Sequence, residues 1–434
     1  MIIRARIVVT MDGSTIENGA VAISENQIIG VGKFPEVSAR HPGRNTVDLG
    51  EKALLPGLIN AHCHLDYTCL RGKIPPRKSF ADWIRAINAE KAKLSPGDYL
   101  ASINEGFAEA KRFGTTTIAN LEAFPELISQ IQAPIRTWWF AELIDIRSPE
   151  RANEIVDLAI ESLGRARPPG APGGLAPHAL FTASKDLYWR CEEVARRKKI
   201  LLTTHLAESR EEMEMFRHGS GPLYEFMKEI GRDVSDCGDQ TPLGRFLETV
   251  RDSSTTLRSA WNDKKANGHG QEWIVAHLNE LAESDFKLLK ELTNKFHVVH
   301  SPRSHDYFGH SRFPFKKLRG LGFNICLGTD SLASNESLSL FAEMRAFQRS
   351  EPAISPDKVL EMVTANAGLA LDQSRHGGKL GRIRSGFQAD LIAVPCSGNG
   401  DLFEQIVAFD GPVDWMLLDG KEKRNTPAPA NISR

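Results

Sequence analysis

The chain has no apolar run near the ~20 residues that a membrane-spanning helix requires. Its N-terminal segment, MIIRARIVVTMDG, lacks the long apolar core and small-residue cleavage site of a signal peptide, so we expect no secretory leader. The six cysteines are scattered without a CxxC pair, and we expect reduced thiols in a cytoplasmic protein. The net charge of -1 favours neither nucleic acid nor an anionic membrane as a partner.

The two ends of the chain have β-strand patterns. Residues 2–10, 20–23 and 28–31 near the start, and 389–394 and 413–418 near the end, are rich in apolar and β-branched residues and flank turn residues. We therefore predict that residues 1–55 and 370–434 pair into one small β-sandwich domain.

Between the ends, short apolar stretches alternate with longer helical patterns. The candidate strands are residues 58–62, 115–120, 137–142, 174–178, 201–205, 273–277, 297–300 and 324–328. Eight strands with intervening helices predict an α/β fold, a (β/α)8 TIM-type barrel over residues 56–369. The segment near 217–270 is too long for one connection and is predicted to be a helical insertion with a polar tail.

Two histidines at the first predicted strand give the first chemical signal. His62 and His64 are two residues apart, so both side chains point to one face of the strand. Neutral imidazole is a good ligand for zinc and other first-row metals. For this pair alone, two buried structural histidines remain the alternative.

Further polar residues follow later strands. His205 and Glu208 follow the fifth strand, His277 the sixth and Asp330 the eighth. Each has a structural alternative, since Glu favours a helix N-terminus, Asp330 and its neighbour Ser331 are good helix caps, and a histidine can be a satisfied core residue. His178, after the fourth strand, has the same alternative. Because catalytic groups of such barrels gather at the C-terminal ends of the strands, the set together predicts an active site.

Several motifs resemble those of the amidohydrolase superfamily. They are PGLINAHCH at residues 56–64, THLAES at 204–209, LGTDS at 327–331, CLRG at 69–72, ADWI at 81–84 and a closing segment from GKLG at 378–381 to ADL at 389–391. The chain resembles in particular the cytosine deaminase/chlorohydrolase branch, which includes guanine, adenosylhomocysteine and aminofutalosine deaminases and triazine chlorohydrolases.

This resemblance implies a hydrolytic deaminase with one divalent metal ion, for which zinc is favoured and iron is the alternative. The implied metal ligands are His62, His64, His205 and Asp330. The implied catalytic groups are Glu208 as proton shuttle, His277 orienting the attacking water, and Asp330 taking the water's proton. No lysine stands at the end of the fourth strand, where two-metal members carry a carboxylated lysine, and this favours one metal.

The resemblance also implies a small heterocyclic substrate, an aminated purine or nucleoside of the aminofutalosine or adenosine type. The predicted substrate contacts are His178, Arg71, Trp83, Glu142, Arg303 and Ser331. Arg71 or Arg303 can meet a carboxylate in a bidentate pair, and an arginine that braces its own loop is the alternative.

Two other functions remain open. The same site can deaminate guanine or another heterocycle, or hydrolyse a chloro-heterocycle. A protein of this fold can also serve as a non-catalytic scaffold, although the presence of all four implied ligands and Glu208 argues against that. A homodimer or a higher homo-oligomer is left open.

Overall fold

The computed structural model describes residues 1–166, 171–252, 273–372 and 379–424. Most of the polar tail predicted for the insertion, and the C-terminal tail 425–434, lie outside these residues. Among the described residues, every helix is too short or too polar to span a bilayer. All six cysteines are free thiols, as expected for reduced side chains.

Two compact units make up the chain. The first contains residues 1–60, 107–118 and 338–434, and the second contains residues 61–106 and 119–337. The first unit thus takes residues 107–118 and 338–369 from the middle of the chain. The division predicted near residues 55 and 370 stays a prediction.

Strands from both chain ends form one eight-stranded sheet. Leu391–Pro395 pairs antiparallel with Lys52–Pro56 and so joins the two ends, while Ile16–Ser24 and Gln27–Lys33 form an antiparallel hairpin. Alternate apolar side chains of these strands, such as Ile3 and Leu391, share one buried core. The full order is Lys421–Arg424, Trp415–Leu418, Leu391–Pro395, Lys52–Pro56, Ile2–Val8, Ile16–Ser24 and Gln27–Lys33, with Thr46–Asp48 beside Ile2–Val8.

The second sheet contains the eight predicted barrel strands. Strands one to seven are Leu58–His64, Thr115–Glu122, Arg136–Leu143, Gly173–Pro177, Leu201–Leu206, Trp273–His277 and His297–His300. The eighth has two segments, of which Ile325–Leu327 pairs with strand seven and Asp330–Ser331 pairs with strand one. The sheet therefore closes on itself, which confirms the predicted TIM-type barrel. Most barrel-strand residues are fully buried, which explains why the strands read as continuous apolar runs.

Gly328 makes this closure possible. It lies between the two segments of the eighth strand, where an added Cβ would stand 2.6 Å from the carbonyl oxygen of His62. Gly328 N–H also donates to the carbonyl of His300, and the next residue, Thr329, donates to the carbonyl of His62. Only a residue without a side chain allows strands one and eight to approach so closely.

Helices connect most of the barrel strands. The predicted insertion between strands five and six contains two helices, Pro222–Glu229 and Pro242–Asp252. The other α-helices are Phe34–Arg40, Phe80–Lys91, Pro96–Arg112, Ala152–Gly164, Lys185–Lys198, Arg210–His218, Glu283–Glu291, Pro302–Phe308, Phe315–Gly320, Leu340–Ser350, Pro356–Met362, Ala365–Leu371 and Leu402–Ala408. Short 3-10 turns are Leu65–Leu70, Pro125–Gln130 and Pro149–Arg151.

Candidate metal centre and active site

The four predicted metal ligands converge at the C-terminal ends of the barrel strands. His64 Nε2 and His205 Nε2 are 3.2 Å apart. Asp330 Oδ1 lies 3.7 Å from His62 Nε2 and 3.8 Å from His64 Nε2. All four side chains are buried. The ligand atoms of His62, His64 and Asp330 form a triplet compact enough to hold one ion, and His205 forms such triplets with His62 and His277 and with His64 and Glu142.

The charge state of these side chains suits a cation. Burial lowers the pKa of His205 to about 4 and that of His64 well below its usual value, so both rings are neutral. Burial alone would raise the pKa of Asp330, but the imidazoles of His62 and His277 hold it well below its usual value. Neutral imidazoles around an ionised carboxylate are a donor set that first-row metals prefer. Within the described chain, His64 Nδ1 and His277 Nε2 also make no hydrogen bond although they are buried.

Neighbouring groups orient two of these ligands. His205 Nδ1 lies 2.9 Å from the carbonyl oxygen of His178, which assigns the ring proton to Nδ1 and leaves the Nε2 lone pair facing the centre. The Ser304 hydroxyl donates to Asp330 Oδ2 at 2.7 Å, and Ser331 N–H donates to Oδ1 at 2.8 Å. The hydroxyl of Ser334 lies 2.8 Å from that of Ser304. Both ligand types therefore have a fixed direction before any ion binds.

The backbone at these strand ends is left-handed at four residues that are not glycine. Their φ angles are +51° at Ala207, +78° at His277, +52° at Leu278 and +57° at Asp330. L-residues rarely adopt this conformation because Cβ crowds the carbonyl oxygen. The turns bring His277 and Asp330 onto the face where His62 and His205 lie.

Glu208 is buried beside the centre. Its Oε2 lies 3.7 Å from His277 Nε2, and it forms a compact triplet with His277 and Asp330. Burial, reinforced by the charges of Asp330 and Glu212, raises its pKa well above the usual value of a glutamate. A carboxyl group with a raised pKa is suited to exchange protons with a bound substrate.

His178 and Glu142 flank the predicted ligands on the side of strands three and four. Glu142 Oε1 lies 3.8 Å from His64 Nδ1 and 4.0 Å from His178 Nε2. Burial raises the pKa of Glu142 to about 7. His178 Nδ1 contacts the hydroxyl of Thr182 at 2.6 Å, and a quarter of its side chain is exposed. Both predicted substrate contacts are thus at the centre.

The other four predicted substrate contacts differ in burial and in the residues they touch. Trp83 is half-buried, with its ring 4.9 Å from that of Phe308. Arg71 is exposed after the turn that follows the first strand. Arg303 forms an ion pair with the exposed Glu336 at 2.8 Å, which connects the helix after strand seven to the segment after strand eight. Ser331 is buried next to Asp330.

The sequence alone did not single out two buried acids near His64. Asp66 and Glu122 are fully buried, and burial together with the nearby Glu142 raises the pKa of Asp66 to about 8. Lys91 lies close to this group, with its ammonium 4.7 Å above the ring of Tyr67. An acidic residue at the end of a β-branched strand, as in TTTIANLE, was the available signal for Glu122.

A family comparison decides what kind of protein presents this site. The model of the amidohydrolase family matches residues 53–422, nearly the whole chain. The chain belongs to the amidohydrolase family.

Relatives of this amidohydrolase bear names that agree with the sequence prediction. A protein of Syntrophobacter fumaroxidans named 5-methylthioadenosine/S-adenosylhomocysteine deaminase is 30% identical over 400 residues, which cover 88% of this chain and 81% of that protein. Its name describes a deaminase of adenosine derivatives.

Solved structures have the same fold. The aminofutalosine deaminase of Helicobacter pylori, in complex with methylthio-coformycin, matches with a TM-score of 0.83 at 20% identity, over 97% of this chain and 99% of that chain. An adenosine deaminase of Xanthomonas campestris with bound zinc matches with a TM-score of 0.77 at 24% identity, over 98% and 92% of the two chains. At these identities, both matches support the barrel architecture of this amidohydrolase.

Proposed function

We propose that this amidohydrolase is a metal-dependent aminohydrolase that removes an exocyclic amine from a purine nucleoside-type substrate and releases ammonia. The observation that carries the proposal is the convergence of the buried side chains of His64, His205, Asp330 and Glu208 at one end of the barrel. The name of the Syntrophobacter relative supports a substrate of the adenosine type.

The residues at the centre fit one divalent metal ion. His62, His64, His205 and Asp330 would hold it, and we favour zinc over iron because zinc suits imidazole and carboxylate ligands and occurs in the Xanthomonas neighbour. When bound, the metal supplies a water whose pKa falls towards ~7, and hence a nucleophile at neutral pH. Strand four is Gly173–Pro177 and is followed by His178. No lysine stands at this strand end, which supports one metal rather than two.

The chain's own residues handle the protons. Asp330, kept ionised by its neighbours, accepts the proton of the attacking water. Glu208, whose pKa is raised by burial, can protonate the ring nitrogen next to the carbon that bears the amine. The resulting carboxylate can then take the proton of the newly added hydroxyl group and pass it to the amine as the C–N bond breaks and ammonia leaves. The proton accepted by Asp330 returns to Glu208 and restores both side chains. His277, 3.7 Å from Glu208, orients the water and the substrate between them.

Substrate contacts form the rest of the proposal. Glu142 and His178 lie at the centre, where they can bind polar edges of a heterocycle. Trp83 offers a half-buried aromatic face for a planar base. We include Arg71, Arg303 and Ser331 as contacts for the remainder of the substrate. A cytoplasmic location and a homo-oligomeric assembly belong to the same proposal.

An ammonia-release screen tests the function. The panel contains 5′-substituted adenosines, adenosine, guanine, cytosine and a chloro-triazine, and the metal content of each protein sample is measured. We expect ammonia from an adenosine derivative and close to one metal ion per chain. Turnover of guanine or release of chloride alone would replace the proposed substrate class. A metal-free protein without turnover, even after added zinc or iron, would contradict enzymatic function and favour a scaffold.

A further inference from the structure

A second glutamate stands one helical turn after Glu208 and binds the backbone on which Glu208 is carried. Glu212 Oε2 accepts a hydrogen bond from Glu208 N–H at 2.7 Å, and Oε1 accepts one from Ala207 N–H at 3.1 Å. The Glu212 side chain is fully buried. We propose that Glu212 is a positioning residue that fixes the peptide carrying Glu208, and thereby the direction of the proton shuttle; this rests on the proposed function.

The turn that Glu212 holds is one that the backbone does not adopt easily. Ala207 has a φ of +51° between strand five and helix Arg210–His218. Such a residue keeps its conformation only where the surrounding contacts fix it. One carboxylate binding two successive N–H groups fixes both peptide planes at once, which a single acceptor cannot do.

Helix capping alone does not account for Glu212, although the N–H of Ser209 also interacts with its carboxylate, as in a capping box. The hydroxyl of Ser209 already accepts a hydrogen bond from Glu212 N–H at 3.1 Å, which is the usual N-cap arrangement. The Glu212 side chain also reaches back beyond the cap, to the two residues before Ser209. Its carboxylate therefore acts on the catalytic turn as well as on the start of the helix.

The carbonyl groups of Ala207 and Glu208 are held by residues that follow strand six. Asn279 Nδ2 donates to the carbonyl oxygen of Glu208 at 3.1 Å. Asn279 Oδ1 lies 3.1 Å from His305 Nδ1, which orients the amide so that its NH2 faces Glu208. Glu280 N–H also donates to the carbonyl of Ala207 at 2.9 Å. With its N–H bound by Glu212 and its C=O bound by Asn279, Glu208 has little freedom to rotate away from His277.

The test replaces Glu212 with glutamine. Gln keeps the shape of the side chain but offers one acceptor and an NH2 group, so one of the two N–H donors would face another donor. We expect kcat to fall about 10- to 100-fold, because small misplacements of a catalytic group cost rates of this order. KM and metal content should stay near the values of the unchanged protein, since Glu212 contacts neither substrate nor the predicted ligands.

Asp285→Asn is the matched control. Asp285 is also a fully buried carboxylate with two hydrogen bonds, from the Thr241 hydroxyl and from Ala282 N–H. Both variants should lower the thermal unfolding midpoint, but only Glu212→Gln should lower kcat. An equal loss of kcat in both would show that Glu212 acts through stability alone and would overturn the proposal.

Two further measurements separate this inference from the proposed function. In a Glu208→Gln background, Glu212→Gln should cause no further loss of kcat, because residue 208 then has no carboxyl proton to transfer. A full additional loss of kcat would overturn the proposal. Hydrogen exchange of the amides of Ala207 and Glu208 needs no substrate. It should accelerate in Glu212→Gln and stay unchanged in Asp285→Asn. If the protein turned over no substrate, the proposed function would fail, and unchanged exchange in Glu212→Gln would reject the positioning role separately.

Discussion

Ser304→Ala should weaken metal binding without removing a predicted ligand. The Ser304 hydroxyl is buried and donates to Asp330 Oδ2 at 2.7 Å. A hydrogen bond to a charged group contributes about 1.5–3 kcal/mol. Groups that orient a ligand typically change metal affinity about 10- to 100-fold, which corresponds to about 1.4–2.7 kcal/mol. The two ranges overlap, so we expect the dissociation constant of zinc to rise about 10- to 100-fold.

The assay is a competition between the protein and a chromophoric chelator for zinc, at fixed pH. Ser334→Ala is the matched control, because Ser334 contacts the Ser304 hydroxyl at 2.8 Å but leaves the bond from Ser304 to Asp330 in place. We expect the control to change zinc affinity less than about threefold, since it removes only a neutral contact. Zinc affinity of Ser304→Ala equal to that of the unchanged protein would refute the orienting role of this hydroxyl.

Three more outcomes follow from the site and the barrel. Glu208→Gln should retain metal but lose turnover, while His205→Ala should lose both; full activity of Glu208→Gln would reject the proton shuttle. Gly328→Ala should lower the free energy of unfolding in urea by about 1–3 kcal/mol, because its Cβ would clash with strand one. The control Gly320→Ala should cause no such loss, because the space around Gly320 is open. Equal effects of the two substitutions would contradict the close approach of strands one and eight. In the metal-free protein, Asp66→Asn should reduce the loss of stability between about pH 4 and pH 8. The folded-state pKa of this acid is raised from 3.8 to about 8, so its contribution is present at low pH and is lost as pH rises; an unchanged pH profile would contradict the raised pKa.

Local patterns in the sequence were enough to predict the barrel strands and the polar residues at their C-terminal ends, while the roles of those residues as metal ligands stay a prediction. All eight predicted strands are present, because strand and helix periods are properties of neighbouring residues. His62 and His64 share a face for the same reason, and the rule that parallel strands present their C-terminal ends together brought His205, His277 and Asp330 into the same prediction.

Contacts between distant loops could not be predicted in this way. The sequence gives no sign that Ser304, from the helix after strand seven, meets Asp330 after strand eight, because that pairing depends on how two loops fold over the barrel end. Glu212 reads as an ordinary residue of a helix first turn until its carboxylate is seen to reach Glu208. Arg71 is a different case. The sequence predicted a carboxylate contact for it, the structure leaves its side chain exposed, and the contact stays a prediction.

The left-handed residues at the ends of strands five, six and eight also bear on how this enzyme would respond to engineering. Each non-glycine residue in that conformation costs on the order of 1 kcal/mol. Glycine at Ala207 or Leu278 would relieve this cost in the folded protein, although it would also gain freedom in the unfolded chain. A selection for heat resistance could therefore accept such changes at the same turns that aim Glu208 and His277, and lose turnover as it gains thermal tolerance. Thermostabilising libraries for this scaffold are better directed to residues of the terminal β-sheet.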